Sequence, residues 1–177
     1  MNESLFSKEY SIYWPPQYAD VVKYLLKRPE EKEEEKNGVF RTNMEVMVFA
    51  AAVGLHCDNR QPVESKTHEI STLTFERGAK EEYSYIFMIP LIAMGDTPDF
   101  KTLRDSVGEE RCIRIFQEYA AGGLQILSEY WKKAGLKRPA TFISDVVRAF
   151  MSSAGNVKDV EGKGSVASVT NDPDDIF

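Results

Sequence analysis

"IFQEYAAGGLQIL", residues 115–127, decides how this chain is read. Its apolar residues recur at helical spacing, yet Gly122 and Gly123 stand together in the middle. A glycine inside a helix costs about 1 kcal/mol relative to alanine, so an adjacent pair calls for a compensating gain. Outward from the pair, Ile113, Phe116, Tyr119, Ala120, Gly123, Leu127, Tyr130 and Trp131 fall on one broad face. The periodicity stays in phase across the glycines, which predicts one locally bent helix rather than two. Gly123 then lies on the buried side, where the missing side chain lets another backbone come close. A phosphate cradle is the weaker reading, because such cradles sit at helix N-termini.

The natural partner is "MEVMVFAAAVG", residues 44–54, apolar on most sides and therefore a buried helix. It presents Ala50 and Gly54 one turn apart, and Gly54 also reads as its C-terminal stop. Thr42 and Glu45 ahead of it have the spacing of a capping box. Close approach of the two helices would add dispersion contact and exclude water, offsetting the glycine penalty.

The rest of the chain arranges itself around that pair. Tyr10, Ile12 and Trp14 alternate as an extended segment, and Pro15-Pro16 then opens a helix carrying Tyr18, Val21, Val22, Leu25 and Leu26. "EEKEEEKNG", residues 30–38, is a charge run read as a surface excursion. "HEISTLTFE", residues 68–76, alternates at Leu73 and Phe75 and predicts a strand pairing with the N-terminal segment. Residues 81–94 predict a second central helix kinked at Pro90. Thr97-Pro98 opens a short helix through Arg104, and Ser106 with Glu109 forms a capping box for the long helix to Lys133. Phe142, Ile143, Val146, Val147, Phe150 and Met151 mark a last amphipathic helix. The expected fold is mainly α: a compact single-domain helical bundle with a short two-stranded β ribbon. Residues 1–154 form the domain, with an acidic surface insertion at 29–38, and residues 155–177 form a flexible acidic tail.

Composition bounds the function. The hydrophobic fraction of 42% and charged fraction of 28% are those of an ordinary globular protein. A net charge of −6 excludes a surface that is basic all over, so DNA contact requires a local patch or a partner. The longest apolar run, residues 85–94, is about half of what a bilayer crossing needs. Two distant cysteines without a disulfide pattern, and no signal peptide, point to the cytoplasm.

No reactive constellation stands out. His56, Cys57 and Asp58 form the densest cluster, but sequence neighbours rarely meet in the geometry that a Cys–His nucleophile requires. His56, Cys57, His68 and Cys112 match no zinc spacing, so neither metal nor cofactor is expected. Glu109-Glu110 and Asp96-Asp99 read as first-turn charges complementing helix dipoles. The basic residues are more informative. Arg104, Arg111 and Arg114 precede "WKKAGLKRP", where Lys132, Lys133, Lys137 and Arg138 stand close to Trp131. Such a group could neutralise phosphates, with the indole available for stacking. The tail ends "NDPDDIF", where Asp174, Asp175, Ile176 and Phe177 resemble the partner-docking tip of bacterial single-stranded DNA-binding proteins, without the proline before the final Phe.

Four segments together carry a wider resemblance: "FRTNMEVMVFAAAVGL", "CDNRQPVE", "YIFMIPLIAMGD" and "ERCIRIFQEYAAGGLQILSEYW". Across residues 39–134 the chain resembles the DNA phosphorothioation-associated protein 4 family, also called Dnd system-associated protein 4. The acidic run at 30–36 and everything after Pro139 stand outside that resemblance. It implies a role beside bacterial systems that place sulfur in the DNA backbone and restrict unmodified DNA, and it supplies no catalytic residues. The expected function is a non-enzymatic accessory subunit that binds protein subunits of that machinery, with weak DNA contact and homo-oligomerisation left open. The alternatives are a stand-alone DNA-binding regulatory module and an enzyme using His56, Cys57 and Asp58.

Overall fold

A computed structural model describes residues 6–27, 38–64, 68–74, 85–94, 105–135 and 138–157. Strand β1 (Ser11–Trp14) leads through a 3-10 turn (Pro16–Tyr18) into helix α1 (Ala19–Leu25). Helix α2 (Asn43–His56), strand β2 (His68–Ser71) and helices α3 (Tyr85–Met94), α4 (Ser106–Ala134) and α5 (Pro139–Val157) follow. Most of the acidic excursion, the short helix expected after Thr97, Arg104, Lys137 and the segment after 157 lie outside the described residues.

The long helix is unbroken. α4 runs through Gly122 and Gly123, and both are buried in the middle of the molecule. An ideal Cβ at Gly123 would fall onto the Ala50 carbonyl of α2, with the carbonyl carbon only 2.5 Å away. A Cβ at Gly54 would meet the Tyr119 carbonyl of α4, its carbon at 2.9 Å. Glycines on each helix thus face backbone carbonyls on the other, and the two helices pack main chain against main chain. The gain that offsets the helix penalty is this contact, and Met47, Ala51, Phe116, Ala120 and Leu124 of the same two helices are buried with it in the core. Gly122 does something different: its missing side chain admits Asn59 from the loop after α2, whose carbonyl carbon would lie 2.6 Å from a Cβ.

Several boundaries differ from the sequence reading, each for a local reason. Gly54 does not end α2; the helix continues to His56, and Asp58 adopts the left-handed conformation (φ 47°) at the turn beyond it. The Thr42 side chain accepts from the Glu45 amide at 3.2 Å, as a capping box requires. The Glu45 carboxylate reaches one residue further back, accepting from the Arg41 amide at 2.6 Å. The N-cap of α4 is Asp105 rather than Ser106, its Oδ1 taking the Gly108 amide at 2.7 Å. The predicted ribbon exists as an antiparallel pair, with Ser11 opposite Ser71 and Trp14 opposite His68. It stops at Ser71, and Leu73 belongs to a helical turn at 72–74. α3 passes through Pro90, which has no N–H for the Ile86 carbonyl. α5 extends to Val157, beyond the point where its apolar periodicity fades.

Glu109 holds the N-terminal segment down. It is buried in the first turn of α4, where the helix dipole favours a negative charge. Its carboxylate accepts from the Ser7 amide (2.8 Å), the Ser7 hydroxyl (2.6 Å) and the Tyr10 hydroxyl (2.8 Å). Burial, and then this bond, raise the pKa of Tyr10 above its usual value, keeping the phenol as a donor. The sequence reading made Glu109 a first-turn dipole charge and the capping-box partner of Ser106; it does stand in the first turn, but its carboxylate clasps Ser7 and Tyr10, about a hundred positions away.

Candidate interaction surface

The loop after α2 carries the densest polar chemistry in the sequence, and most of it is turned onto α4. Asn59 receives α2 through its amide, bonded to the Gly54 carbonyl at 2.8 Å. Its side-chain amide then donates to the Gly122 carbonyl (3.0 Å) and to Gln125 (3.3 Å). Gln61 donates its backbone amide to the Glu118 carbonyl at 3.0 Å and its side chain to Asn59 Oδ1 at 2.9 Å. Arg60 pairs with Glu118 and lies 5.3 Å over the Tyr119 ring. Two neighbouring stretches, the Ala50 to Gly54 turn and the Asn59 to Gln61 loop, therefore close into one knot with the distant Glu118 to Gln125 segment. A polar loop whose donors are taken up by a helix backbone anchors that helix. It does not present those donors to a ligand.

The neighbouring reactive residues lie in separate surroundings. His56 is exposed and its ring tilts against Phe150 at 5.1 Å, while His56 and Cys57 make no hydrogen bond to one another. Burial pushes the Cys57 thiol pKa up, away from the thiolate a nucleophile needs. Cys112 is fully buried in α4, and the same effect raises it to about 11. His68 stacks flat on Trp14, with ring centroids at 4.3 Å. The four residues considered as a metal set are thus distributed over separate structural roles. Among the described residues, no three His, Cys, Asp or Glu side chains gather as metal ligands.

The basic residues reach solvent but divide into two groups. Arg111 and Arg114 are exposed near the start of α4; Lys132, Lys133 and Arg138 are exposed at its far end and the turn into α5. None of the five has an ion pair or side-chain hydrogen bond among the described residues. Arg114 and Lys132 are eighteen positions apart in one helix, which is five turns and about 27 Å, so they share a face without sharing a patch. Trp131, expected to be free for stacking, is half-buried with its ring 5.4 Å from that of Tyr24. Its indole ties α4 to α1.

Sequence reasoning overlooked one further surface. Phe142 and Val146 of α5 face the core, but Ile143, Val147 and Met151 line its outer side, and Met151 is 72% exposed. The polar residues beside them are occupied within the helix. Ser144 and Ser152 donate to carbonyls one turn back, each at 2.9 Å, and Arg148 pairs with Asp145 at 3.2 Å. The signal was present as a second apolar row at i, i+4, i+8, hidden by its adjacency to the buried row.

These features define a class: a helical scaffold, close-packed through its backbone, with exposed cations and an apolar helix face as its outward chemistry. The chain belongs to the family described as DNA sulphur modification system-associated protein 4, whose profile matches residues 12–159. The match begins in β1 and ends two residues beyond α5, so it takes in the acidic run and the last helix that the residue-level resemblance left outside. The family is one associated with a DNA sulphur modification system. No curated protein and no solved structure matched significantly. Among the described residues, no helix is long and apolar enough to cross a membrane.

Proposed function

We propose that this chain is a non-enzymatic, cytoplasmic accessory subunit of a bacterial DNA sulphur-modification and restriction system, acting in defence against foreign DNA. It works by binding protein subunits of that machinery, with weak DNA contact through its two basic groups. The observation that carries this reading, beyond family membership, is the fate of the family-like segments. The Ala50 to Gly54 turn, the Asn59 to Gln61 loop and the twin glycines are used up on one another. What remains outward is positive charge at Arg111, Arg114, Lys132, Lys133 and Arg138 that has no ion pair among the described residues.

Two separated basic groups suit a long, regular array of negative charge better than a single small ligand, and the acidic total keeps unaided affinity low. The test is affinity capture of the full-length chain from its native cells, followed by mass spectrometry. Sulphur-modification or restriction subunits should be enriched, and reversing Lys132, Lys133 and Arg138 to Glu should reduce their recovery or that of co-bound DNA. Recovery of none of these subunits, or a turnover abolished by His56→Ala, would refute the reading.

A further inference from the structure

The outward face of α4 is basic at both ends, and most of its negative charge is neutralised from elsewhere in the chain. Arg114 and Lys132 are separated by five whole turns of helix, so they stand on one line along it, about 27 Å apart. Arg111 and Lys133 flank that line and carry the outer span to about 33 Å; all four are exposed. Three carboxylates share this face. Lys8 reaches Glu110 at 3.1 Å, and Arg60 pairs with Glu118. Glu129 takes a hydrogen bond from the neutral Gln125 at 3.3 Å and has no ion pair among the described residues. The loop that brings Arg60 lies across the middle of the face, where Asn59 donates to the Gly122 carbonyl. It leaves a charge-balanced strip between two cationic ends.

We propose that this face is a two-point contact for double-stranded DNA, with Arg111 and Arg114 on the backbone at one turn of the duplex and Lys132 and Lys133 on the backbone at the next. It rests on the DNA contact of the proposed function and gives that contact a form. Along one side of a duplex, the phosphates of a strand return after about 34–36 Å. The outer span of α4 falls just short of that repeat, and long flexible lysine and arginine side chains close the difference. Between the two passages lie the grooves, which leave room for the Asn59 to Gln61 loop. The spacing is also rigid, because the crossing with α2 at Gly54 and Gly123 holds the rod between its two ends. A rigid pair of contacts selects a ligand that is rigid at the same period, whereas a single strand would have to be ordered to match it.

Fluorescence anisotropy at low salt, with the full-length chain and labelled duplexes of increasing length, tests the proposal. Affinity should rise at least about tenfold as the duplex passes one turn, between about 8 and 12 base pairs, and only slowly beyond it. For four phosphates the logarithmic salt slope should be about −3.6. Arg111→Glu/Arg114→Glu and Lys132→Glu/Lys133→Glu, each checked for folding by circular dichroism, should each remove about half of that slope and abolish the length step. Glu129→Gln should raise affinity about two- to fivefold, while Asp20→Asn on α1, with the same change in net charge, leaves it unmoved. A smooth rise with length, a single strand bound as tightly as the duplex, or end reversals without effect would overturn the proposal. None of these results bears on the capture of modification subunits, which tests the accessory role separately. Absence of any binding at low salt would overturn the proposal too, and would leave the protein-binding part of that role standing.

Discussion

The two faces of α4 and α5 that meet other helices and solvent are built by opposite rules. Where α2 crosses α4, side chains are removed: Gly54 and Gly123 each leave room for a carbonyl of the other helix. On the outside of α5, large apolar side chains are retained in contact with solvent, Val147 in part and Met151 for most of its surface. The first arrangement tolerates no added atom, because backbone has nowhere to move. The second tolerates many, because its neighbours are water and its own flexible side chains. The difference teaches where identity matters in this fold: the central crossing is fixed by geometry, the outer face only by chemistry.

Gly123→Ala should break that comparison most severely if the crossing is as close as it stands. In an exposed helix the change stabilises by up to about 1 kcal/mol through propensity. Here the new methyl meets the Ala50 carbonyl, and overpacking of this kind costs about 3 kcal/mol or more. Urea unfolding of the full chain gives the sign directly, and a stabilised variant would mean the helices lie further apart. Glu109→Ala should rank next, at about 2–4 kcal/mol, because three donors from Ser7 and Tyr10 lose their acceptor in a buried site. The same variant should release the N-terminal segment first, seen as faster proteolysis before Ser11. Val147→Ser with Met151→Ser should be smallest, within about 0.5 kcal/mol, as expected for exposed positions without structural partners. A large loss there would show α5 to be held from both sides.

Much of the central crossing was legible because its signal is local. The helical phase through Gly122 and Gly123 and the small residues at Ala50 and Gly54 together specify a close approach by themselves. Where the reading failed, competing local signals had equal strength. Gly54 looks the same as a helix stop and as a packing notch, and only Tyr119 across the interface decides between them. Asp105 and Ser106 are both good caps, and the first won. Leu73 continues a strand's alternation but falls in a helical turn once pairing with β1 ends at Ser71.

The outward surface was less legible, for a different reason. Arg111 and Arg114 were grouped with Lys132 and Lys133 by charge, while a helix rising 1.5 Å per residue separates the first pair from the second by about five turns. Glu109 could not be assigned from its own neighbourhood at all. Its partners, Ser7 and Tyr10, arrive from the other end of the chain, and no periodicity announces them.

Native-state hydrogen exchange, residue by residue, tests the central claim most directly: that the α2–α4 crossing is the rigid unit and α5 presents a face outside it. Amides from Tyr119 to Leu124 should exchange only through global unfolding, with opening free energies equal to the stability measured in urea. Amides around Val147 to Met151 should open locally at lower free energy. Equal protection in the two regions, or faster exchange at the glycine crossing than in α5, would contradict the account.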